Sequence, residues 1–163
     1  MDFSPDGDMI LYYSIKNVGK ALKTGFEASL DYYPGNADFH LSYGYLHAED
    51  KNTGKKIPGL TPMQATLRAG YTYKPWDLNG WYRLRLYKGG ESNIETSWGS
   101  GEYKKFGGFA THAVGLTWKP HLKDWADFAL TFSIDNVTNK KYRYLNGGYG
   151  VGRSYRAWLT ANF

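Results

Sequence analysis

Strand-length runs in which apolar and polar residues strictly alternate are the feature that most constrains this chain. The last sixteen residues show it best. Tyr155, Ala157, Leu159, Ala161 and Phe163 share one parity, and Ser154, Arg156, Trp158, Thr160 and Asn162 share the other. A period of two is the signature of one face of a pleated sheet. The same alternation recurs upstream. Leu11, Tyr13 and Ile15 form a first short set, and Phe26, Ala28, Leu30 and Tyr32 oppose Glu27, Ser29 and Asp31. Phe39, Leu41, Tyr43 and Tyr45 oppose His40, Ser42 and Gly44, while Ala65, Leu67, Ala69, Tyr71 and Tyr73 oppose Thr66, Arg68, Gly70 and Thr72. Tyr82, Leu84 and Leu86 oppose Trp81, Arg83, Arg85 and Tyr87; His112, Val114, Leu116 and Trp118 oppose Thr111, Ala113, Gly115 and Thr117. Phe128, Leu130, Phe132 and Ile134 oppose Ala129, Thr131, Ser133 and Asp135. Eight candidate strands result, with no helical period between them.

The connections decide what kind of sheet this is. Short turns at 34–36, 75–80 and 119–124 alternate with long polar stretches at 49–61, 89–105 and 137–150. Short turns at one end and long loops at the other are the habit of up-and-down membrane barrels, and a sandwich has no such rule. A soluble barrel would fill its interior with the apolar set. Here the opposite face carries Glu27, Asp31, Arg68, Arg83, Arg85, Asp135 and Arg156, so the apolar set is expected outside, against lipid. The mean hydropathy of −0.57 excludes a helical span and leaves a barrel open, because only alternate residues of its strands are apolar.

Tyr and Trp number 15 and 6 and gather at strand ends. Tyr32, Tyr33, Tyr73, Trp76, Trp118, Trp125 and Phe163 lie near the short turns; Tyr45, Tyr87, Phe106, Tyr142, Tyr144 and Tyr155 lie near the long loops. Two such bands read as the aromatic girdles of a membrane-embedded sheet. The expected fold is therefore all-β: an antiparallel, up-and-down transmembrane β-barrel segment of about eight strands, with short periplasmic turns and long extracellular loops.

Several chemistries drop out. No cysteine means no thiolate and no disulfide. The net charge of +5 is spread along the chain, against nucleic-acid binding. The four histidines have no metal spacing: His40 and His47 differ in parity, and His112 and His121 sit on a strand and a turn. His112 has no serine beside it in a hydrolase pattern. Gly147-Gly-Tyr-Gly-Val-Gly152 leads into a strand instead of a helix, so it is no phosphate loop. Neither an enzyme nor a resident cofactor or metal is expected. The opening Met1-Asp-Phe-Ser-Pro-Asp6 has no apolar secretion segment, which fits a piece of a longer precursor.

Three stretches together resemble the C-terminal end of TonB-dependent outer-membrane receptors. Asn17-Val-Gly-Lys-Ala21 with Thr24-Gly-Phe-Glu-Ala-Ser-Leu-Asp-Tyr-Tyr-Pro34 is similar to one strand pair of that family. Ile57-Pro-Gly-Leu-Thr-Pro-Met-Gln-Ala-Thr-Leu67 with Tyr71-Thr-Tyr73 resembles its entry into a descending strand. Ser133-Ile-Asp-Asn-Val-Thr-Asn-Lys-Lys-Tyr142, then Gly152-Arg-Ser-Tyr-Arg156 and the last Phe163, resembles its closing motif.

The resemblance implies a barrel of about 22 strands with a plugged lumen, of which residues 1–163 would supply the C-terminal segment without the plug domain. It further implies TonB-energised uptake of a ferric siderophore, haem or vitamin-like ligand across the outer membrane of a Gram-negative bacterium. The implied partners are outer-membrane lipid and lipopolysaccharide, the plug domain and TonB complex, the barrel-assembly machinery and an iron chelate. Phe163 would be the assembly signal. Ligand contacts are expected from the loop residues Lys88, Trp98, Tyr103, Lys104, Tyr142, Arg143 and Tyr144, and plug contacts from Glu27, Asp31, Arg68, Arg83, Arg85, Asp135 and Arg156. The alternatives are a small self-contained outer-membrane barrel with a structural or adhesive role, and a soluble ligand-binding β-barrel.

Overall fold

The computed structural model describes residues 2–3, 9–10, 20–97, 100–120, 127–145 and 148–162. Residues 11–19, Trp98, His121, Trp125 and Phe163 lie outside the described residues, and with them the Asn17-Val-Gly19 turn, most of the first expected strand, one loop candidate and the proposed assembly signal. The strands are β1 (Asp2–Phe3), β2 (Met9–Ile10), β3 (Ala21–Tyr32), β4 (Ala37–Asp50), β5 (Met63–Tyr73), β6 (Leu78–Tyr87), β7 (Gly90–Ser97), β8 (Ser100–Phe106), β9 (Phe109–Trp118), β10 (Asp127–Asp135) and β11 (Ser154–Asn162). Among the described residues no helix is long and apolar enough to cross a membrane.

Seven strands form one antiparallel sheet in the order β11-β10-β9-β6-β5-β4-β3. This is an up-and-down meander, interrupted once where the β7–β8 hairpin projects between β6 and β9. The sheet is open, with β3 and β11 at its edges. Two sequence expectations change. The stretch 89–105, read as a loop, is the β7–β8 hairpin, because its Gly, Ser and Glu residues gain a partner strand that a single pass along the sequence cannot reveal. Met9 and Ile10 pair with Phe3 and Asp2 and not with the main sheet.

Turn chemistry sets the short connections. Gly35 takes a left-handed φ of 65° between β3 and β4, and Ala37 N–H closes the turn on Pro34 O at 3.1 Å. Between β5 and β6, Pro75 sits inside a single 3-10 turn, Lys74–Trp76, that ends on Asp77 at φ 48°. Both turns lie at one end of the sheet, while 51–62, the hairpin and 136–153 lie at the other.

Register aligns the apolar residues into rows. Leu30, Leu41, Leu67 and Leu84 stand side by side across four strands. The row Tyr32, Phe39, Ala69, Tyr82, Val114, Ile134 and Tyr155 crosses all seven. This face is the exposed one: Leu30 is 63% exposed, Leu67 40% and Leu159 65%. The polar face is covered along its middle, where Thr131 and Ser133 are 5% and 1% exposed, and open at the edge strands, where Glu27, Asp31 and Arg156 are exposed. A water-soluble sheet sorts its side chains the other way, so the pattern matches a sheet whose outer solvent is hydrocarbon. At the short-turn end Tyr32, Tyr33, Tyr73, Trp76 and Trp118 are exposed as one aromatic band.

The connection after β10 is knotted by one side chain. Asn136, 4% exposed at φ 50°, donates from Nδ2 to the carbonyls of Lys140 (2.9 Å) and Val151 (3.1 Å) and accepts Lys140 N–H on Oδ1 at 2.9 Å. Asn139 Oδ1 then accepts Arg153 N–H at 3.0 Å, and Arg153 Nε donates to Val137 O at 2.9 Å. The Asn-x-x-Asn…Gly-Arg pattern is thus a clamp that holds the two ends of the 136–153 connection together, so that β11 can return beside β10.

Two outcomes are expected. Leu67→Arg should lower unfolding free energy in bilayers by about 2–4 kcal/mol, the cost of Arg near the midplane, while inward Thr66→Arg should cost under about 1 kcal/mol; urea titration in lipid vesicles compares them. Asn136→Ala removes three hydrogen bonds of a buried group and should cost about 2–4 kcal/mol, read in the same titration.

Candidate functional site

The polar face of the sheet is where charge gathers. Its central row, set by register, runs Asp31, His40, Arg68, Arg83, Ala113, Asp135 and Ser154. Arg68 and Arg83 stand directly opposite one another, an arrangement that like charge disfavours. Each is offset by its own carboxylate. Arg68 pairs with Asp38 from β4, and Arg83 Nη2 donates to Asp135 Oδ1 from β10 at 2.7 Å. Arg156 from β11 grips the other oxygen of Asp135, with Nε at 3.0 Å and a second contact from Nη2. One carboxylate therefore ties β6, β10 and β11 together.

Trp81 lies among these cations. The guanidinium carbons of Arg68 and Arg83 sit 5.7 and 5.5 Å from its ring centroid, within cation–π range. Two glycines make this possible. A Cβ on Gly115 would come 2.3 Å from the Trp81 ring, and one on Gly70 would come 2.0 Å from Asp38 Oδ2. Gly70, Trp81 and Gly115 are register partners, so the ring lies over the bare backbone of Gly115 while the Asp38 carboxylate fills the space over Gly70. Toward the short turns the face continues in hydroxyls and amides: Asn79 Nδ2 donates to Thr72 Oγ1 at 2.9 Å, and the Thr117 and Thr131 hydroxyls are 3.1 Å apart.

Toward the long loops the face ends in an aromatic cluster. Tyr87 stacks on Phe109 (4.7 Å between centroids), Phe109 stacks on Tyr142 (4.3 Å), and Tyr144 meets both Tyr87 and Tyr142 edge-on. The loop is seated by Gly150, where a Cβ would enter the Tyr142 ring, and by Leu145 packed on Gly90. Burial, followed by the Tyr144 hydroxyl, pushes the Tyr142 phenol up to about 12. The long-loop aromatic band thus divides. Tyr45 and Tyr155 are exposed on the outer face, whereas Tyr87, Phe109, Tyr142 and Tyr144 are turned over the polar face. The odd parity of Tyr87 forces this: it shares the face of Trp81 and Arg83.

Sequence-expected residues fall into three groups. Arg68, Arg83, Asp135 and Arg156 form the network just described, and Arg85 borders it. Asp31 stands apart near the β3 edge, bonded to His40 Nδ1 at 2.6 Å, and Glu27 lies beside Gly44 away from the network. Of the loop candidates, Tyr142 and Tyr144 join the aromatic cluster, while the Arg143 guanidinium sits 4.8 Å from the Tyr149 ring and 5.7 Å from that of Phe106. Lys88 continues β6 through its N–H bond to Met63 O, and Tyr103 and Lys104 pair with Asn93 and Ser92 in the hairpin. Asp38, Trp81 and Phe109 escaped sequence reasoning as site residues; parity places Asp38 beside His40, but its partner Arg68 becomes visible only with register. His112 lies on the outer face, where Tyr82 Oη meets its Nδ1 at 2.6 Å. Among the described residues no cluster of three or more acidic or histidine side chains could hold a metal ion.

The polar face can hold charged or hydrogen-bonding groups in water. Known proteins agree with such an architecture. Three structures of similar fold are the FrpB iron transporter of Neisseria meningitidis in its F3-3 variant (21% identity, TM-score 0.67), the apo form of its F5-1 variant (21%, 0.68) and FpvA of P. aeruginosa bound to a heterologous pyoverdine with iron (16%, 0.66). They align with 85%, 85% and 86% of this chain, which spans only 23%, 24% and 19% of theirs. No curated protein matches the sequence. The family model described as TonB dependent receptor-like, beta-barrel, matches residues 2–137. On that match, and on the antiparallel meander that carries it, the chain belongs to the TonB-dependent receptor β-barrel family.

Proposed function

We propose that this chain forms the C-terminal wall of an outer-membrane receptor that takes up an iron chelate or similar scarce ligand by TonB-dependent active transport. The observation that supports the reading most is the pairing of an exposed apolar face with a covered face of ion-paired arginines, in a chain of this family. In such a wall the apolar rows meet lipid and lipopolysaccharide. The Arg68–Asp38 and Arg83–Asp135–Arg156 pairs line an aqueous lumen, where they also offer hydrogen bonds to a plug domain supplied by the preceding part of the receptor. Glu27, Asp31 and Arg85 extend that lining.

The long-loop end is the ligand-facing end in this reading. Tyr142 and Tyr144 present aromatic surface, and Arg143 and Lys88 add positive charge, a combination suited to an anionic, partly aromatic chelate. Tyr103 and Lys104 belong to the hairpin at the same end, and Trp98 is proposed to contribute from the same loop. No bond is made or broken; binding at the loops, a plug shift driven from the inner membrane and passage through the lumen make up the cycle. The protein resides in the outer membrane of a Gram-negative bacterium, placed there by the barrel-assembly machinery through Phe163.

Uptake of radioactive iron by iron-starved cells tests the proposal, with the metal presented in turn as hydroxamate, catecholate and haem complexes. Deleting the gene should abolish accumulation from one of these, and an uncoupler should do the same in the wild type. Accumulation from all three that is unchanged by deletion would contradict the reading.

A further inference from the structure

At one place on the polar face, around Asp135, cations outnumber the carboxylates that could balance them. At the long-loop end, Asp135 is already shared by Arg83 and Arg156. Arg85 stands two residues along β6 on the same face, and among the described residues no carboxylate pairs with it. Three guanidinium groups and one carboxylate thus border a cavity of about 290 Å³, completed by Thr111, Tyr142 and Ser154. Its donors are also in surplus. The Arg85 guanidinium and the hydroxyls of Thr111, Ser154 and Tyr142 border it beside the Arg83 and Arg156 forks. Water can satisfy such a site, but a multivalent anion satisfies it better, because it answers charge and donors together.

We infer that this cleft is a binding station for a small oxyanion, a group presenting two or more acceptor oxygens such as a phosphate or a dicarboxylate. Guanidinium forks suit that partner, since their paired N–H groups match two oxygens on one centre. Arg85 is the free fork, Arg83 and Arg156 are held in place by Asp135, and the hydroxyls of Thr111, Ser154 and Tyr142 lie around the remaining perimeter. Tyr142, with its phenol pushed up to about 12, keeps its proton through the physiological range and remains a donor. The site lies on the strand wall below the aromatic cluster, apart from the exposed loop cations.

The inference rests on the reading of this face as the lining of an aqueous lumen, but its test measures binding alone. The full chain in detergent micelles is titrated calorimetrically with inorganic phosphate and, separately, with succinate at low ionic strength. At least one probe should bind, and the tighter of the two assigns a phosphate or a carboxylate source. Arg85→Ala should weaken that binding at least ~10-fold, Arg85→Lys should restore part of it, and Lys105→Ala, on the outer hairpin, should leave it within about twofold.

In isolated outer membranes the same probe should slow phenylglyoxal modification of Arg85, a readout that does not depend on refolding. Absence of binding and of protection, or an Arg85→Ala chain that binds as the wild type does, overturns the inference. Probe binding that persists while iron accumulation is independent of the gene would instead remove the transport reading and leave the anion site standing.

Discussion

A sheet bathed in hydrocarbon must satisfy its backbone polar groups within itself, and that constraint underlies the rest of this structure. Each internal strand of the seven is paired on both sides, without a break in register along β4, β5, β6 or β9. With the backbone satisfied laterally, the faces are free to follow their solvents. Rows of Leu, Phe, Tyr and Val occupy the exposed side, and hydroxyl, amide and charged groups occupy the covered one. The inversion is energetically coherent only if the exposed side meets lipid; otherwise the apolar surface of these rows would be left to water at about 25 cal/mol per Å².

The covered face cannot be stabilised as an ordinary apolar core, because it buries almost no hydrocarbon. Its cohesion comes from a few directed contacts. Asp135 joins three strands, Asp38 neutralises the arginine that faces Arg83 and lies over the bare backbone of Gly70, and Trp81 spreads over that of Gly115 beside two guanidinium groups. Asn136 does the corresponding work in the loop, where no ladder exists. Such contacts are strong only where water is partly excluded, and the aromatic cluster above and the neighbouring strands supply that exclusion.

Much of this was legible in the sequence, for a physical reason. Alternation fixes which face each residue occupies, so the sets Phe26–Tyr32, Tyr82–Leu86 and Tyr155–Ala161 separate from their polar complements on parity alone. The alternation of short and long connections gave the meander. What the sequence hid is everything that depends on register between strands. Asp38 is an unremarkable strand residue until β4 is aligned with β5. Gly115 looks like a strand weakness until Trp81 is placed across from it. The 89–105 stretch lacks a strong alternating pattern, since a projecting hairpin has no face that must be apolar. Tyr87 and Tyr142 stand close to strand ends as girdle residues do, but the parity of Tyr87 turns it onto the polar face and Tyr142 stacks there with Phe109.

The central claim, that the apolar rows face lipid and the arginine rows face water, can be measured residue by residue. Nitroxide labels at Leu30, Leu41, Leu67 and Leu84, and at their inward neighbours Ser29, Ser42, Thr66 and Arg85, report accessibility to oxygen, which concentrates in hydrocarbon, and to a polar nickel chelate, which does not. In bilayer-reconstituted protein the first set should relax strongly with oxygen and weakly with the chelate, and the second set the reverse. A chelate-accessible leucine row, with the inward positions shielded from both reagents, would show a water-soluble sheet covered on its polar side and would contradict the account.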